Sequence, residues 1–208
     1  MTGLETLTAT LGPSMAQAMI DVFAGGGLVI NEVDYDQPGT DADEFVEIYN
    51  ATAAPIDLTG VALVLVNGSN DSEYNRVDLG AAGQLASGQF LVVGSNTLLA
   101  TVPGTALTIP FAAATNNLQN GAPDGLAILD VASSTVIDAL SYEGSITMAT
   151  LMGVAQPQNL VEGTATGVMD DNANVVSLIR NPDGSDTDDA SVDWSLTSTP
   201  TPGAANMP

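Results

Sequence analysis

From residue 28 onward the sequence is a succession of short apolar runs rich in Val, Ile and Leu, separated by Gly, Pro, Asn and Asp. Runs of this length and composition favour β-strands, and the residues between them favour turns. Several short strands with such turns are typical of an all-β sandwich. The predicted strands lie at residues 28–33, 44–50, 56–68, 88–95, 106–111, 125–130, 136–142 and 175–181.

Local signals refine this prediction. Asn67-Gly68 is a turn signal at the end of one run. Pro110 interrupts the run at 106–111, and proline within a strand predicts an edge position. The runs at 125–130 and 136–142 flank a short polar segment and predict a hairpin. Residues 145–174 show no clear period, which predicts a long loop or weak strands.

The N-terminal residues have a different pattern. Ser14 is placed to cap a helix over residues 14–24, and three glycines at 25–27 then favour a hinge. A helix behind a glycine hinge can pack on its own domain, or it can dock as an arm on a neighbouring subunit. The sequence therefore predicts a helical arm with its hinge at residues 1–27 and a β-sandwich domain at residues 28–206.

Charge limits the partners that the chain can have. It carries 25 acidic residues, only two arginines (Arg76 and Arg180) and no lysine, for a formal net charge of −23. Nucleic acid and anionic lipid require Lys and Arg, so neither is an expected partner. Divalent cations and basic partners are attracted. This charge suits an extracellular or cell-surface setting, where salt screens it.

Missing residue types also exclude functions. The chain has no cysteine and no histidine, which rules out disulfides, thiolate metal sites and Ser-His-Asp triads. No apolar run reaches the roughly 20 residues that span a bilayer. The first residues lack the positive charges of a signal peptide, so we expect a mature form, a fragment or export without such a signal.

The ordered series of segments resembles a known family. It consists of INEVDYDQPGTDADEFVEIYN, PIDLTGVALVLVNG, GQFLVVG, LQNGAPDGLAILD, VIDALSYEG and, at 177–206, SLIRNPDGSDTDDASVDWSLTSTPTPGAAN. In this order the segments resemble the lamin tail domain, an immunoglobulin-like β-sandwich, in its bacterial extracellular form. The resemblance covers most of residues 28–206. It implies a non-catalytic module for binding, attachment or assembly, of a kind that often accompanies secreted nuclease or phosphatase domains.

Two acidic loops are candidate calcium sites, because calcium takes several oxygen ligands. The spacing of the first does not match the EF-hand loop, whereas the second alternates Asp with small residues as calcium-binding loops generally do. Each can instead be an ordinary solvated turn, since Asp and Gly also favour turns. The candidate ligands are Asp34, Asp36, Asp41, Asp43 and Glu44 in the first loop and Asp183, Asp186, Asp188 and Asp189 in the second, which also contains Asp193.

Two further acids lie inside predicted strands. Strict alternation places Glu32 on one face with Leu28 and Ile30, and Glu47 lies within another apolar run. A carboxylate in such surroundings must be paired or hydrogen-bonded. The sequence therefore predicts that Arg180 pairs with Glu32 or Glu47, with a catalytic carboxylate dyad as the alternative.

The sequence favours a non-catalytic, secreted or surface-exposed structural protein. We expect self-association as a homo-oligomer, filament or surface-layer subunit through the N-terminal arm and exposed sheet edges, with calcium stabilising the loops. Two alternatives remain open. One is an accessory binding module of a secreted nuclease or phosphatase. The other is an enzyme that acts through metal-bound water held by carboxylates.

Overall fold

The computed structural model describes the backbone of residues 3–11, 14–22 and 27–208, and the side chains of residues 27–208. Two short helices, α1 (Asn96–Leu99) and α2 (Ala190–Asp193), and a 3-10 helix at Leu79–Ala82 interrupt the strands. None of the helices in these ranges is long and apolar enough to cross a membrane. The strands are β1 (Gly3–Leu11), β2 (Ser14–Val22), β3 (Leu28–Asp34), β4 (Phe45–Asn50), β5 (Ile56–Asp57), β6 (Val61–Asn67), β7 (Ser72–Asp78), β8 (Gln84–Leu85), β9 (Phe90–Gly94), β10 (Leu107–Pro110), β11 (Asp124–Asp130), β12 (Thr135–Tyr142), β13 (Ser177–Arg180) and β14 (Trp194–Thr197).

Two sheets form the body of the molecule, so the predicted all-β sandwich is confirmed. One sheet has six strands in the order β10-β9-β4-β3-β13-β14, and the other has four in the order β12-β11-β6-β7. All neighbours within these sheets are antiparallel except β9 and β10. The connection between β9 and β10 contains α1, as expected because parallel neighbours need a crossover.

The predicted strands correspond to β3, β4, β6, β9, β10, β11, β12 and β13, and the strand with Pro110 lies at a sheet edge as predicted. Five strands lie outside the predicted ones, namely β1, β2, β8 and two of the outermost strands, β7 and β14. The sequence of β7, SEYNRVD, is mostly polar, and its burial is only partial. β14 has only four residues and directly follows α2. Both lie at sheet edges, where a strand needs fewer apolar residues than a central one does.

The inner faces of the sheets enclose the main core. Ile30, Ile48 and Leu178 of the six-stranded sheet belong to the same buried cluster as Leu63 and Leu126 of the four-stranded sheet. This arrangement follows from the two-residue period of a strand, which directs alternate side chains inward. Burial of these side chains is the main favourable contribution to folding.

A second apolar cluster lies on the outer face of the four-stranded sheet. Val64 and Leu129 of the sheet pack with Ile146, Leu151 and Leu160. The last three belong to the aperiodic stretch 145–174, which forms a long irregular covering rather than regular strands. Its apolar residues follow no period because irregular backbone directs side chains inward at irregular intervals.

The N-terminal region differs from the helical arm that was predicted. β1 and β2 pair antiparallel along their whole length, from Gly3 opposite Val22 to Leu11 opposite Ser14. Thr6, Thr8 and Thr10 alternate along β1, and β-branched residues favour strands. An isolated helix of this length is marginal, since about 12–15 residues are needed. Residues 23–26, with two of the three hinge glycines, lie outside the described residues.

Candidate functional site

Arg180 lies at the centre of a buried group of carboxyl groups. It is the last residue of β13, its side chain is fully buried, and it forms salt bridges of 3.1–3.3 Å to four acids. Its Nε donates to the carbonyl oxygen of Ile30, and one terminal nitrogen donates to that of Ser185. We call Arg180 and its four acids the Arg180 centre; the acids are Asp138, Glu162, Asp186 and Asp193.

Different parts of the chain supply these acids. Asp138 lies in β12, and its second oxygen accepts a hydrogen bond from the backbone N–H of Ile30. Glu162 comes from the irregular covering. Asp186 precedes α2 and Asp193 ends it, and the latter also accepts hydrogen bonds from Thr187. The centre therefore ties both sheets and two loops together through one guanidinium group.

One cation does not balance four acids. Burial raises the pKa of Asp138 well above its usual range, although the charge of Arg180 opposes this. Burial likewise raises the pKa of Glu162, while hydrogen bonding to Asp138 opposes the rise. Burial lowers the pKa of Arg180, but the surrounding carboxylates outweigh it and raise that pKa above its usual value. Burial of Asp138 and Glu162 beside one guanidinium group therefore raises the pKa of both and favours their protonated forms.

The same group of acids can bind a metal ion. Carboxylate oxygens of Asp138, Glu162 and Asp186 lie within 4.8 Å of one another. Nothing in their geometry selects calcium over other cations. The guanidinium group stands among these three carboxylates at 3.2–3.3 Å, so an ion would compete with Arg180 for the same oxygens.

Glu32 and Glu47 do not pair with Arg180, and that prediction was wrong. They lie opposite each other on β3 and β4, and both face the C-terminal segment. Glu32 accepts hydrogen bonds from the hydroxyl of Ser177 and from the N–H and hydroxyl of Thr201. Glu47 accepts one from the Asn31 side chain at 2.8 Å and one from the N–H of Gly203 at 2.6 Å.

A β-bulge explains the difference. The register between β3 and β4 shifts between Ile30 and Glu32, so Asn31 is an extra residue. Ile30 and Val33 consequently face the core, while Glu32 turns to the outer face beside Glu47. Strict alternation placed Glu32 with Leu28 and Ile30, and one inserted residue reverses that placement.

We call Glu32, Glu47 and the segment 199–206 that covers them the glutamate face. Among residues 27–208 no Arg forms a salt bridge with either glutamate. Burial raises the pKa of both side chains, and for Glu47 the pKa lies well above its usual range. Neutral donors, including backbone N–H groups of the covering segment, therefore satisfy these buried carboxyl groups.

Most acids of the first predicted calcium loop accept hydrogen bonds from neutral groups. Asp34 is buried and accepts a hydrogen bond from the side chain of Gln37. Asp36 accepts one from Asn120, and Asp41 accepts one from the N–H of Gln37. Asp43 is exposed.

The fifth acid of that loop, Glu44, is fully buried and accepts hydrogen bonds from Asn117 and Leu118. Within residues 27–208 no three of the five loop acids form a group like the one at Arg180. Calcium binding by this loop stays a prediction.

Only some acids of the second predicted calcium loop belong to the two sites described above. Asp186 belongs to the Arg180 centre. Asp183 accepts hydrogen bonds from Asn31 and from the N–H of Asn206, beside the glutamate face. Asp189 caps α2 by accepting from the N–H of Ser191. Asp188 is exposed with a positive φ of 56°.

Asp34 also has a neighbour that the sequence did not suggest. Asp170 accepts hydrogen bonds from the N–H groups of Tyr35 and Asp36. Burial raises the pKa of Asp34 to about 8 and that of Asp170 to about 6, with their proximity adding to the rise for Asp34. These rises favour the protonated forms, and neither Asp34 nor Asp170 forms a salt bridge within residues 27–208.

Sequence reasoning missed Asp138, Glu162 and Asp170. Asp138 lies in the apolar run VIDALSY, so it carries the same signal that singled out Glu32 and Glu47. Glu162 and Asp170 lie in the aperiodic stretch, where no pattern distinguishes a buried acid from a solvated one. Only the folded backbone brings them to β12 and β3.

Comparison with known families gives the context for these sites. The Lamin Tail Domain family model matches residues 22–144, more than half of the chain. The chain belongs to the lamin tail domain family. Members of this family are immunoglobulin-like and non-enzymatic domains. No curated protein sequence matches the chain significantly.

The lamin tail match contains only part of the buried acid network. Glu32, Glu47 and Asp138 lie inside the matched residues. Glu162, Arg180 and the segment that covers the glutamate face lie beyond them. The resemblance of residues 145–206 to the family therefore stays a prediction, although these residues complete both sites.

Proposed function

We propose that this chain is a non-catalytic, extracellular structural module that associates with further copies of itself into filaments or surface layers. The observation that supports this most directly is an open sheet edge. β14 ends the six-stranded sheet, and its outer side has no strand partner among the described residues. Such an edge presents unpaired backbone groups that accept another strand.

The side chains of β14 favour an added strand. Leu196 lies opposite Leu178 of β13, which is fully buried in the core. Leu196 therefore continues the apolar layer of the core to the edge, where it is 41% exposed. Val192, just before β14, is 69% exposed. A strand from a second copy would cover this apolar surface and satisfy the backbone of β14.

The buried acids support a structural role rather than catalysis. All four acids of the Arg180 centre contact one guanidinium group, and both glutamates of the glutamate face accept backbone hydrogen bonds. With no His, Lys or Cys in the sequence, the common groups for proton transfer and covalent catalysis are missing.

The negative charge of the chain means that its copies associate only in the presence of counterions. Two copies that each carry a net charge of −23 repel one another unless counterions gather between them. Calcium bound by loop acids such as the partly buried Asp36 and the exposed Asp43 would lower this repulsion. We therefore expect association to need salt or divalent cations.

Light scattering, which measures the mass of assemblies, tests self-association through β14 when it is recorded at several protein concentrations. We expect assemblies larger than a monomer, and Leu196→Lys should reduce them because a charge cannot be buried at the contact without a partner. Met148→Lys is the matched control, since Met148 is 58% exposed in the irregular covering and not at the edge. Equal effects of the two substitutions, or a monomer under all conditions, would contradict the proposal.

Two further measurements test the role of calcium and the role of the N-terminal segment separately. Assembly in CaCl₂ is compared with assembly in NaCl of the same ionic strength, and greater assembly in CaCl₂ supports bound calcium rather than screening. Deletion of residues 1–27 tests the N-terminal segment, and an unchanged assembly state would exclude it as the connector.

A further inference from the structure

The short segment that leads into β11 contains one of the two Asn-Gly pairs of the chain, Asn120-Gly121. Both residues of this pair are exposed, and neither lies in a helix or strand. Glycine has no Cβ atom, so its backbone nitrogen can approach the side chain of the preceding residue closely. The space around Gly121 is open as well, because an added Cβ atom would meet nothing nearer than 3.9 Å.

Two carboxyl groups contact the polar atoms of this pair. Asp124 accepts a hydrogen bond from the backbone N–H of Gly121 at 3.0 Å, and Asp36 accepts one from the side-chain amide of Asn120 at 3.0 Å. A general base must lie within about 2.6–3.2 Å of the atom whose proton it takes, and its pKa should lie near the working pH. Burial raises the pKa of Asp124 to about 6, so its carboxyl group is ionised at neutral pH and meets both conditions.

We propose that Asn120 is a site of self-modification, at which the backbone nitrogen of Gly121 displaces the side-chain amide as ammonia. The Gly121 N–H gives its proton to Asp124 while the nitrogen forms a bond to Cγ of Asn120. The bond from Cγ to Nδ2 then breaks, and the departing nitrogen leaves as ammonia with the proton that Asp124 took. The product is a five-membered succinimide ring, and a water molecule opens it to aspartate or isoaspartate at position 120.

The folded chain favours this reaction because it brings the reacting groups together within one molecule. Neighbouring groups that are held in place react far faster than free ones. Asp124 lies at the start of β11, so a paired strand fixes the base beside the nitrogen. The contact with Asp36 holds the Asn120 amide in one orientation, which makes Asp36 a positioning residue.

The second Asn-Gly pair lies in a different environment. Asn67 ends β6, which is paired on both sides, and its side chain accepts a hydrogen bond from the N–H of Ser69 at 2.7 Å. The Gly68 N–H donates to the carbonyl oxygen of Pro123 at 3.0 Å and, less closely, to Asp124 at 3.3 Å. An added Cβ atom at Gly68 would lie 2.2 Å from that carbonyl oxygen, so this backbone has no room to turn. Asn67 is therefore a control within the same chain.

The modification changes a contact between two segments. The Asn120 amide donates to Asp36, whereas a carboxylate at position 120 cannot donate and repels the like charge of Asp36. The new charge also enters a cavity of about 490 Å³ that Asp41 and Asp124 line. Conversion should therefore separate the segment before β11 from the loop that contains Asp36.

Mass spectrometry of peptides from the folded protein, incubated at neutral pH, tests the proposal without any substitution. Conversion of an amide to an acid raises the peptide mass, and we expect it to be at least about tenfold faster at Asn120 than at Asn67. In urea Asp124 no longer lies beside Gly121, so conversion at Asn120 should slow and become similar to that at Asn67. No conversion at Asn120, equal rates in the folded protein, or a preference for Asn120 that persists in urea would overturn the proposal.

A variant tests the base directly. Asp124→Asn should slow conversion at Asn120 at least about tenfold, because an amide cannot take the proton. Asp57→Asn is the matched control, since Asp57 is exposed and the variant loses the same charge. Equal rates in the two variants would show that Asp124 is not the base and would overturn the proposal. If Asp124→Asn does not fold, the comparison of the folded parent with the parent in urea decides the same question.

Discussion

The Arg180 centre and the glutamate face both bury carboxyl groups, but they satisfy them in opposite ways. In the first, one guanidinium group contacts four acids. In the second, Glu32 and Glu47 form no salt bridge within residues 27–208 and accept hydrogen bonds from hydroxyl, amide and backbone N–H groups. A buried acid therefore does not imply an ion pair.

The difference has consequences for how the two regions hold the fold. The Arg180 centre depends on one residue, whose loss leaves several buried acids without a cation. The glutamate face depends on many weak donors, most of them from the C-terminal segment. The first region should fail abruptly when one residue changes, and the second should weaken gradually.

The largest expected effect is that of Arg180→Ala. Removing the cation leaves four buried or partly buried acids together, and breaking a buried ion pair in this way costs about 3–5 kcal/mol. Urea unfolding measures the loss. Arg76→Ala is the matched control, because Arg76 is 21% exposed and pairs with one acid, Glu73, rather than four, so we expect a smaller loss of about 1–3 kcal/mol. Equal losses would show that the centre is not the main ionic support.

Stability should fall as pH rises. Burial raises the pKa of Asp34 to about 8 and those of Asp124 and Asp170 to about 6, so the folded state keeps protons that the unfolded state releases. Their stabilisation is complete below the unfolded pKa near 4 and is lost as pH rises through 6 to 8. We expect a loss on the order of 3 kcal/mol between pH 5 and 8.

Calorimetric melting at several pH values measures this slope. The variant Asp34→Asn cannot lose a proton at that position, so its melting temperature should depend less on pH than that of the parent. Asp57→Asn is the control, because Asp57 is exposed and its pKa is lowered by hydrogen bonds from Thr59. A parent protein that becomes more stable from pH 5 to 8 would contradict the prediction.

The glutamate face is tested by comparing Glu47→Gln with Glu32→Gln. Both partners of Glu47 are N–H groups, which cannot accept, so the new NH₂ group leaves a buried donor unpaired. We expect a loss of about 1–3 kcal/mol. Two partners of Glu32 are hydroxyls of Ser177 and Thr201, which can turn and accept from the new NH₂ group, so its loss should be smaller. Urea unfolding of both variants checks the order, and the reverse order would contradict it.

Much of the fold was predictable because it depends on local patterns. Apolar alternation and turn residues predicted the central strands, and Pro110 predicted an edge. The edge strand β7 was missed because apolar and polar residues do not alternate in SEYNRVD. An edge strand forms with few apolar residues. The N-terminal pairing of β1 with β2 was missed because a helix signal at Ser14 competes with a strand partner that only the folded chain provides.

The sites were less predictable because they depend on contacts between distant residues. The sequence predicted a buried ion pair of Arg180 with Glu32 or Glu47, but the partners of Arg180 are four other acids. Asp138 is 42 positions away and Glu162 lies in an aperiodic stretch. The bulge at Asn31 places Glu32 on the opposite face of the sheet from the one predicted. No residue type in this strand indicates such a bulge.

The smallest expected effect is that of Trp194→Phe. The Trp194 ring lies 4.9 Å from the guanidinium carbon of Arg180, and its indole N–H is buried without a hydrogen-bond partner among the described residues. Phenylalanine keeps an aromatic face for the cation and removes the unsatisfied N–H, while it buries less area. These effects oppose each other, so urea unfolding should show a change within about 1 kcal/mol. A loss above about 2 kcal/mol would mean that the ring, rather than the acids, supports Arg180.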